Sequence, residues 1–251
     1  MNKILELKNV SLTYQTMDDE ITAIENLSFN CHEGDFISII GPSGCGKTTI
    51  LSMIAGLIEP SSGEILFEGK VRDIKKLSLG YMLQKDQLFA WRTIEKNVFL
   101  PLEIKGVKTN ANKEYARALL CKYGLSAFKD KYPDQLSGGM RQRVALIRTL
   151  VSNPKLLLLD EPFSALDYQT RLTVCDDVHS IIKNENKTTI LVTHDISEAI
   201  AMSNVIIVLT ERPAKVKSVH RPNIVGDTPL KRRESADFGL WFEKIWKELH
   251  Q

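Results

Sequence analysis

The fold is decided by the stretch Gly41-Pro42-Ser43-Gly44-Cys45-Gly46-Lys47-Thr48-Thr49, which directly follows the apolar run at residues 36–40. This stretch matches G-x-x-x-x-G-K-[ST], the pattern of phosphate-binding loops in which a strand leads into a glycine-rich turn and then a helix. The backbone N–H groups of such a loop face a polyphosphate, and the positive end of the helix adds to the attraction. The residues therefore predict a triphosphate site, with Lys47 on the β- and γ-phosphates and Thr48 on Mg²⁺.

The length, composition and net charge of the chain limit the kinds of ligand that it can be expected to bind. A chain of 251 residues, 43% hydrophobic and 25% charged, is long enough to bury a sizeable core. Its 33 basic and 31 acidic residues give a net charge of only +2, which is not the electrostatic footprint of a dedicated nucleic-acid binder. We therefore expect ATP as the charged ligand and no nucleic-acid partner.

The four cysteines form no C-x-x-C pair, so neither a zinc site nor a disulfide framework is indicated and a reducing cytosol is expected. Cys45 alone lies in the phosphate loop. Either the neighbouring amides and Lys47 lower its pKa and make it reactive, or it is simply a small residue that the loop tolerates.

The pattern of apolar runs predicts a mixed α/β fold. Alternating segments at 5–10 and 22–30 predict an antiparallel sheet, a helix is expected at 47–57, and a further strand at 64–68. Helical spacing extends from residue 93 to about 150, and Gly124 is placed to end one of its helices. Buried strands are expected at residues 156–159, 190–192 and 205–209. These apolar runs are far shorter than the roughly 20 residues that cross a bilayer, and the alternating N-terminus is not a secretion signal.

Polar residues follow three of the predicted strands. Asp160 and Glu161 come directly after residues 156–159, at the carboxyl edge where open α/β sheets bind ligands. Asp160 is predicted to reach Mg²⁺, and Glu161 to polarise the attacking water as general base; solvated acids at a strand end are the alternative. His194 is predicted to contact a γ-phosphate, or else to be a packing or surface histidine. Gln84 also ends a strand, but its residue type alone predicts nothing.

A second anion site is predicted at the segment Leu136-Ser137-Gly138-Gly139-Met140, which precedes an apolar helical stretch. A serine and two glycines at the start of a helix expose unpaired N–H groups. A chain with one phosphate loop and a separate anion-binding helix start has a reason to pair. Each nucleotide would be held by the loop of one subunit and by Ser137 of the other.

At this point the sequence resembles the ATP-binding cassette (ABC) family over nearly its whole length, with Met140 replacing the glutamine of the L-S-G-G-Q signature. The resemblance implies adenine stacking on Tyr14, the alternative being a core aromatic, and nucleotide contacts from residues 41–49. It implies that Mg²⁺ is held by Thr48, Gln84 and Asp160, and that catalysis depends on Glu161, His194 and Gln84. It also implies contacts across a head-to-tail dimer from Ser137, Gly138, Gly139 and Asp167. Phosphate binding is expected to survive the change at Met140.

Within the family, residues 88–98 are similar to the W-R-T-x-x-x-N-V segment of ATPases from nitrate/sulfonate/taurine-type importers, and residues 211–216 to their R-P-x-x-[IV] strand exit. This resemblance implies a peripheral motor on the cytoplasmic face of the cell membrane, docked on an integral membrane permease. An extracytoplasmic solute-binding protein would deliver the solute to that permease. Importers of other small solutes share these segments, so the solute stays open. Phe89 and Trp91 are expected either as an exposed permease anchor or as buried residues of the helical region.

Two other classes compete with this interpretation. An ABC ATPase acting on DNA or ribosomes commonly carries paired cassettes or long coiled coils, and this chain has one cassette and no sustained heptads. A P-loop kinase would need an acceptor pocket in place of Ser137-Gly138-Gly139. The absence of an N-K-x-D segment argues against a GTPase.

The expected fold class is α/β, a P-loop NTPase (RecA-like) core with an N-terminal antiparallel β-subdomain and an inserted α-helical subdomain. The resemblance implies a single ABC ATPase domain over residues 1–251. Its core would comprise 1–88 and 151–217, its helical signature subdomain 89–150, and its C-terminal helical tail 218–251. Apolar residues at helical spacing in the tail predict a helix docked on the chain's own core or on a partner: Phe238, Trp241, Phe242, Ile245, Trp246 and Leu249.

Overall fold

A computed structural model describes residues 2–15, 19–73 and 78–250. The chain forms two compact units, the first from residues 1–77 and 188–251 and the second from residues 78–187. Positions 16–18, between the alternating segments predicted at 5–10 and 22–30, lie outside the described residues. The finer division into core, helical subdomain and tail stays a prediction.

The helices and strands follow one another in a mixed order. They are β1 (Lys3–Gln15), β2 (Glu20–His32), β3 (Phe36–Ile40), α1 (Lys47–Ile54), β4 (Ser62–Phe67), β5 (Lys70–Val71), β6 (Leu79–Met82), α2 (Ile94–Ile104), α3 (Asn110–Lys122), α4 (Gly138–Leu150), β7 (Leu156–Asp160), α5 (Tyr168–Asn184), β8 (Thr188–Val192), α6 (Ile196–Met202), β9 (Val205–Leu209), β10 (Val216–His220), α7 (Pro229–Arg233) and α8 (Ala236–His250). Short 3-10 turns occupy Ser126–Phe128 and Pro133–Gln135.

The first unit contains an antiparallel sheet in the order β2-β1-β4-β5. Its long strands β1 and β2 bury one set of alternating apolar side chains, including Leu5, Leu7 and Leu27. Alternation of period two turns one face of a sheet toward a core, which is why this pattern predicts a half-buried strand. The N-terminal antiparallel sheet expected from the sequence is confirmed.

The same unit contains a second run of strands in the order β10-β9-β3-β8. Strand β3 pairs in parallel with both β8 and β9, and every residue of these three strands is buried. Parallel strands covered on both faces consist of continuous apolar residues, so the runs at 36–40 and 205–209 predict their strands without error in the bounds. Strand β10 is antiparallel to β9 and has alternating burial, and the sequence interpretation missed it.

Helix α1 ends earlier than predicted. The sequence interpretation placed its end at Leu57, whereas the last helical residue is Ile54. Gly56 adopts a φ of 74°, and its N–H donates to the carbonyl of Met53 at 3.1 Å. A left-handed glycine directly after the last turn satisfies a free carbonyl and ends the helix.

The C-terminal helix α8 docks on the core of the first unit. Ile245 is fully buried against Ile200 and Val208, and four partly buried side chains surround it: Phe238, Trp241, Phe242 and Leu249. Docking on the chain's own core, one of the two alternatives for the tail, is therefore confirmed.

The second unit is mainly helical. Strands β6 and β7 pair in parallel, and α4 packs against α2, α3 and α5. Side-chain caps begin α2, α3, α4 and α5, supplied by Thr93, Thr109, Ser137 and Asp167. Gly124, with a φ of 73°, follows the end of α3 at the position expected from the sequence.

No helix in the described part of the chain is both long enough and apolar enough to cross a bilayer.

Candidate functional site: phosphate loop, strand-end acids and signature helix

The phosphate loop connects β3 to α1 in the first unit. Gly46, the residue before α1, has a φ of 121°, a conformation that side chains with a Cβ rarely adopt. Ser43, Gly44 and Thr48 are exposed, Pro42 and Thr49 are half-buried, and Gly41 is buried. The sequence thus places the start of an eight-residue helix directly after a glycine turn, with Thr48 exposed in its first turn. This is the arrangement that backbone N–H groups need to bind a phosphate.

Lys47 folds back over the loop. Its Nζ donates hydrogen bonds to the carbonyl oxygens of Gly41 and Pro42, each at 2.9 Å, and the residue is only 6% exposed. A buried ammonium needs such partners, because an unpaired charge away from water is costly. The geometry fixes a positive charge at the loop, as the prediction for a phosphate-binding lysine requires.

Cys45 is buried, and the interpretation of it as a reactive thiol is wrong. Burial raises the pKa of the Cys45 thiol and outweighs the opposing charge of Lys47. The neutral thiol is therefore the favoured form at neutral pH, and thiols react as thiolates. Cys45 is a small core residue of the loop, the other alternative considered for it.

Arg212 is a loop contact that the sequence interpretation did not assign. Its Nη2 donates to the carbonyl oxygen of Gly44 at 2.9 Å. The R-P segment was noted only for its resemblance to importer ATPases, and nothing local in that pattern predicts a partner 168 positions away. The contact adds a second cation beside the phosphate loop.

Tyr14 and His194 occupy different places in the first unit. Tyr14 lies near the end of β1, opposite Ile21, and is 40% exposed, so the alternative of a core aromatic is wrong. His194 follows β8 in the turn that leads into α6, and it is also exposed. Both side chains are accessible to a ligand, and their roles in binding adenine and γ-phosphate stay predictions.

In the second unit, the two carboxylates lie at the end of β7. Asp160 ends the strand and is 4% exposed, whereas Glu161 is half-buried with a φ of 44°. A left-handed conformation at a residue other than glycine costs on the order of 1 kcal/mol, and such strain clusters at functional sites. Ser164 helps to hold the turn, since its Oγ donates to the carbonyl oxygen of Glu161 at 3.0 Å.

The structure brings Gln84 to Glu161. The Nε2 of Gln84 lies 3.4 Å from Oε2 of Glu161, which is a long and weak hydrogen bond. Gln84 follows β6 and Glu161 follows β7, and the parallel pairing of these strands brings their ends together. Gln84, for which the residue type alone predicts no function, thus contacts the predicted general base Glu161.

The signature segment begins α4. The Oγ of Ser137 accepts a hydrogen bond from the N–H of Met140 at 3.3 Å, so Ser137 is the N-cap of this helix. The N–H of Met140 thus has a hydrogen-bond partner. Replacing the glutamine of the signature by methionine does not remove this backbone group. The helix N-terminus formed by Ser137, Gly138 and Gly139 has the geometry expected of an anion site.

Asp167 caps the neighbouring helix α5. Its Oδ1 accepts from the N–H of Thr170 at 3.0 Å, and hydrogen bonding to Thr170 lowers the pKa of the Asp167 carboxyl. The carboxylate therefore has a local structural task. A contact with nucleotide across a dimer stays a prediction.

Asn97 and Arg148 hold the segment between Gln84 and α2, and the sequence interpretation missed both. Asn97 is fully buried, accepts from the N–H of Phe89 at 2.7 Å, and donates to three carbonyls, those of Phe89, Arg92 and Thr93. Arg148 donates to the carbonyls of Asp86 and Gln87.

The Phe89 and Trp91 rings stack at 4.8 Å, and Trp91 is 75% exposed, which rules out its burial in the helical region.

Two features are typical of nucleotide-binding proteins of the P-loop NTPase class: the phosphate loop that follows β3 in the first unit, and the acids at the end of β7 in the second unit. Residues 24–164 match the family model described as ABC transporter. The chain belongs to the ABC transporter family, as an ATP-binding domain.

Individual relatives agree with this assignment. The chain is 48% identical to the uncharacterized ABC transporter ATP-binding protein YtlC of Bacillus subtilis (strain 168) over 248 residues, 98% of this chain and 95% of the relative. It is 36% identical to the aliphatic sulfonates import ATP-binding protein SsuB of Bacillus cereus (strain ZK / E33L), over 98% of this chain and 94% of that protein. Among solved structures, the dimeric post-hydrolysis state of the cassette MJ0796 bound to ADP and Pi has a TM-score of 0.72 and 32% identity, covering 87% of this chain and 98% of the other.

Proposed function

We propose that this chain is the ATP-hydrolysing motor subunit of an importer, acting as a head-to-tail dimer at the cytoplasmic face of the membrane. Its partners would be an integral membrane permease and an extracytoplasmic solute-binding protein. The dimeric state of the related cassette MJ0796 with ADP and Pi supports pairing. The likeness to an aliphatic sulfonates import protein supports a small organic or inorganic anion as the solute.

The proposed chemistry assigns each residue a role. The loop amides and Lys47 bind the phosphates of ATP, Tyr14 stacks on the adenine, and Glu161 polarises the attacking water. Gln84 and His194 orient the water and the γ-phosphate. Across the dimer, phosphate contacts come from Ser137, Gly138, Gly139 and Asp167.

Mg²⁺ fits the residues proposed to hold it. The Thr48 hydroxyl, the Asp160 carboxylate and the Gln84 amide oxygen are hard oxygen donors of the kind that Mg²⁺ prefers. The described residues contain no cluster of three or more His, Cys, Asp or Glu side chains that could hold a metal by itself. Mg²⁺ typically takes one or two protein ligands together with substrate phosphates, so few carboxylates are needed. When bound, it neutralises charge on the β- and γ-phosphates.

The observation that carries the importer assignment is the Phe89–Trp91 pair. An exposed tryptophan stacked on a half-buried phenylalanine, in a segment fixed by a fully buried asparagine, is a preorganised anchor for another protein. This segment follows Gln84 directly, so a partner bound here would be next to a predicted catalytic residue. A permease is the partner that an ABC ATPase of the importer type requires.

Substitution of the proposed general base tests the ATPase part of the proposal. Glu161→Gln is expected to lower steady-state ATP hydrolysis at least about 100-fold, because general bases contribute roughly that much. Size-exclusion chromatography with light scattering should show a dimer that persists with ATP and Mg²⁺. Glu114→Gln, at an exposed glutamate of α3, is the matched control and should behave as wild type. A Glu161→Gln protein that hydrolyses ATP normally and stays monomeric would contradict the proposal.

Co-purification tests the importer part. Protein tagged and extracted from native membranes in detergent should carry a permease, and the solute-binding protein of that permease should bind a small anion in a thermal-shift screen of nitrate, sulfonates and taurine. Binding of a different small solute would support the importer assignment and change only the proposed solute. Recovery with ribosomes or DNA in place of a permease would favour a non-transport ABC ATPase.

A further inference from the structure

Arg148 contacts main chain, not an acid, with both ends of its guanidinium. Its Nη1 donates to the carbonyl of Gln87 and its Nη2 to the carbonyl of Asp86, each at 2.7 Å. The planar fork of arginine presents two donors in a fixed geometry that a lysine cannot reproduce. Since both acceptors are backbone oxygens, the contact fixes the course of the chain whatever side chains residues 86 and 87 carry.

The segment is attached to α4 at a second point. The Nε of Arg141 lies 3.0 Å from Oδ2 of Asp86, and its Nη1 donates to the carbonyl of Leu136 at 2.8 Å. Arg141 and Arg148 are seven residues apart, which is two helical turns, so they lie on the same face of α4. One face of α4, the helix that begins at the signature segment, therefore holds residues 86 and 87 by hydrogen bonds.

The far end of the segment is attached to α2 through Asn97, as described above. Gln87 itself has a φ of 49°, a conformation that costs a residue other than glycine on the order of 1 kcal/mol. The hydrogen bond from Arg148 to the Gln87 carbonyl holds this turn in place. Both ends of the segment that carries the exposed Trp91 are therefore held by hydrogen bonds, one end by α4 and the other by α2.

We infer that Arg148 is a positioning residue that makes α4 and residues 86–91 move as one body, so that nucleotide contact at Ser137 is transmitted to Trp91. Ser137 is the N-cap of α4 and Arg148 lies in its last turn, so the helix spans the distance between the two contacts. This inference rests on the proposed function, because it needs ATP at the signature segment. It adds a residue outside the nucleotide-binding motifs to the coupling between hydrolysis and transport.

Hydrogen exchange of the backbone amides of residues 86–92 tests the inference in the full chain. The Glu161→Gln protein is measured with and without ATP and Mg²⁺, alone and combined with Arg148→Lys. Arg148 donates two charge-assisted hydrogen bonds to this segment, and Arg148→Lys cannot make both. We therefore expect ATP to slow exchange in residues 86–92 by about tenfold with Arg148 and by less than about twofold with lysine. Arg117→Lys is the matched control, because Arg117 is an exposed arginine of α3 that pairs with Glu95 and Glu114.

Two further variants make the result specific to Arg148. Asp86→Asn should keep the response to ATP, since Arg148 binds the carbonyl and not the carboxylate of Asp86; loss of the response here would assign the link to the Arg141–Asp86 pair and overturn the inference. If Arg148→Lys fails to fold, as judged by its melting temperature, Arg148→Gln is measured instead, since glutamine keeps a single NH₂ group as donor and buries no charge. An unchanged response in Arg148→Lys or Arg148→Gln would overturn the inference.

The outcome separates this inference from the proposed function. A Glu161→Gln protein that does not bind ATP or form a dimer contradicts the proposed function. If it binds ATP and dimerises, but the amides of residues 86–92 do not respond even with Arg148 intact, the inference alone is wrong.

Discussion

The ammonium nitrogen of Lys47 lies 2.9 Å from the carbonyl oxygen of Gly41. Gly41 is the first residue after β3 and Lys47 is the first residue of α1, so one side chain joins the two ends of the phosphate loop. Lys47 is therefore both the predicted phosphate ligand and a brace for the loop that presents the amides. Motif spacing predicts the first role and is silent about the second.

Replacing Lys47 removes both roles. Lys47→Ala should weaken ATP binding by at least about 100-fold, since hydrogen bonds from a charged group contribute about 1.5–3 kcal/mol each and 1.4 kcal/mol is tenfold in affinity. Titration with a fluorescent ATP analogue measures this. Lys8→Ala, at an exposed lysine of β1, should leave the affinity within about twofold. ATP binding by Lys47→Ala at wild-type affinity would contradict the assignment of the loop.

Gly139 is required by close packing of α4 against α5. A Cβ at this position would lie 2.7 Å from Cγ2 of Val174, so Gly139→Ala requires the Val174 side chain or the start of α4 to shift. Overpacking of this kind costs about 1–3 kcal/mol, and we expect ATPase activity to fall more than about tenfold because Gly139 lies in the signature segment itself. Denaturant unfolding and steady-state ATPase assays measure the two effects.

Gly239 in α8 provides the opposite case. A Cβ there meets no atom within 4 Å, so Gly239→Ala should raise the free energy of unfolding by about 0.5–1 kcal/mol through its higher helix propensity. Equal destabilisation by the two substitutions would show that packing against Val174 is not the cause.

The local sequence predicts an element of this chain correctly when a single requirement, such as burial on both faces of a strand, determines its residue types. Strands β3 and β9 are continuous apolar runs, and both were placed with correct bounds, whereas β10 alternates at an edge and was missed. Cys45 was open to two interpretations because neighbouring charge can be read from sequence and burial cannot.

The contacts that hold the candidate site are less predictable. Arg212 binds the carbonyl of Gly44 across 168 positions, and Arg148 binds that of Gln87 across 61. Both acceptors are main-chain oxygens, so no residue type at the partner position signals the contact. Asn97 is visible in the sequence only as a member of an importer segment, and the four hydrogen bonds that it makes explain why an asparagine is needed there.

Glu248 should make the docking of α8 depend on pH. Its Oε2 lies 2.9 Å from Nε2 of His220; burial opposes ionisation, but hydrogen bonds from Ser218 and His220 outweigh it and lower the pKa of the Glu248 carboxyl. A carboxyl with a lowered pKa in the folded state stabilises the fold above its unfolded pKa, about 4.3, and this contribution is lost as pH falls through the folded value.

Glu248→Gln should therefore lower the free energy of unfolding by about 1 kcal/mol at pH 7 and by much less near pH 3. Urea unfolding of both proteins at the two pH values measures the difference. Glu243→Gln, at an exposed residue of the same helix that pairs with Lys247, is the control. A destabilisation of equal size at both pH values would mean that Glu248 acts through packing and not through its charge.

Trp91 should dominate the binding of the proposed permease. An exposed aromatic on a fixed segment loses little entropy on binding, and truncation of such an anchor commonly costs 2 kcal/mol or more, which is about 30-fold in affinity. Trp91→Ala should therefore abolish recovery of the permease when the tagged subunit is extracted from native membranes. Trp246→Ala is the matched control, because Trp246 is also exposed but lies on α8, stacked between Phe242 and His250. Since both substitutions remove an exposed indole, nonspecific loss of hydrophobic surface would affect them equally. Loss of the permease with Trp246→Ala and retention with Trp91→Ala would transfer the docking site from the segment after Gln84 to the C-terminal helix.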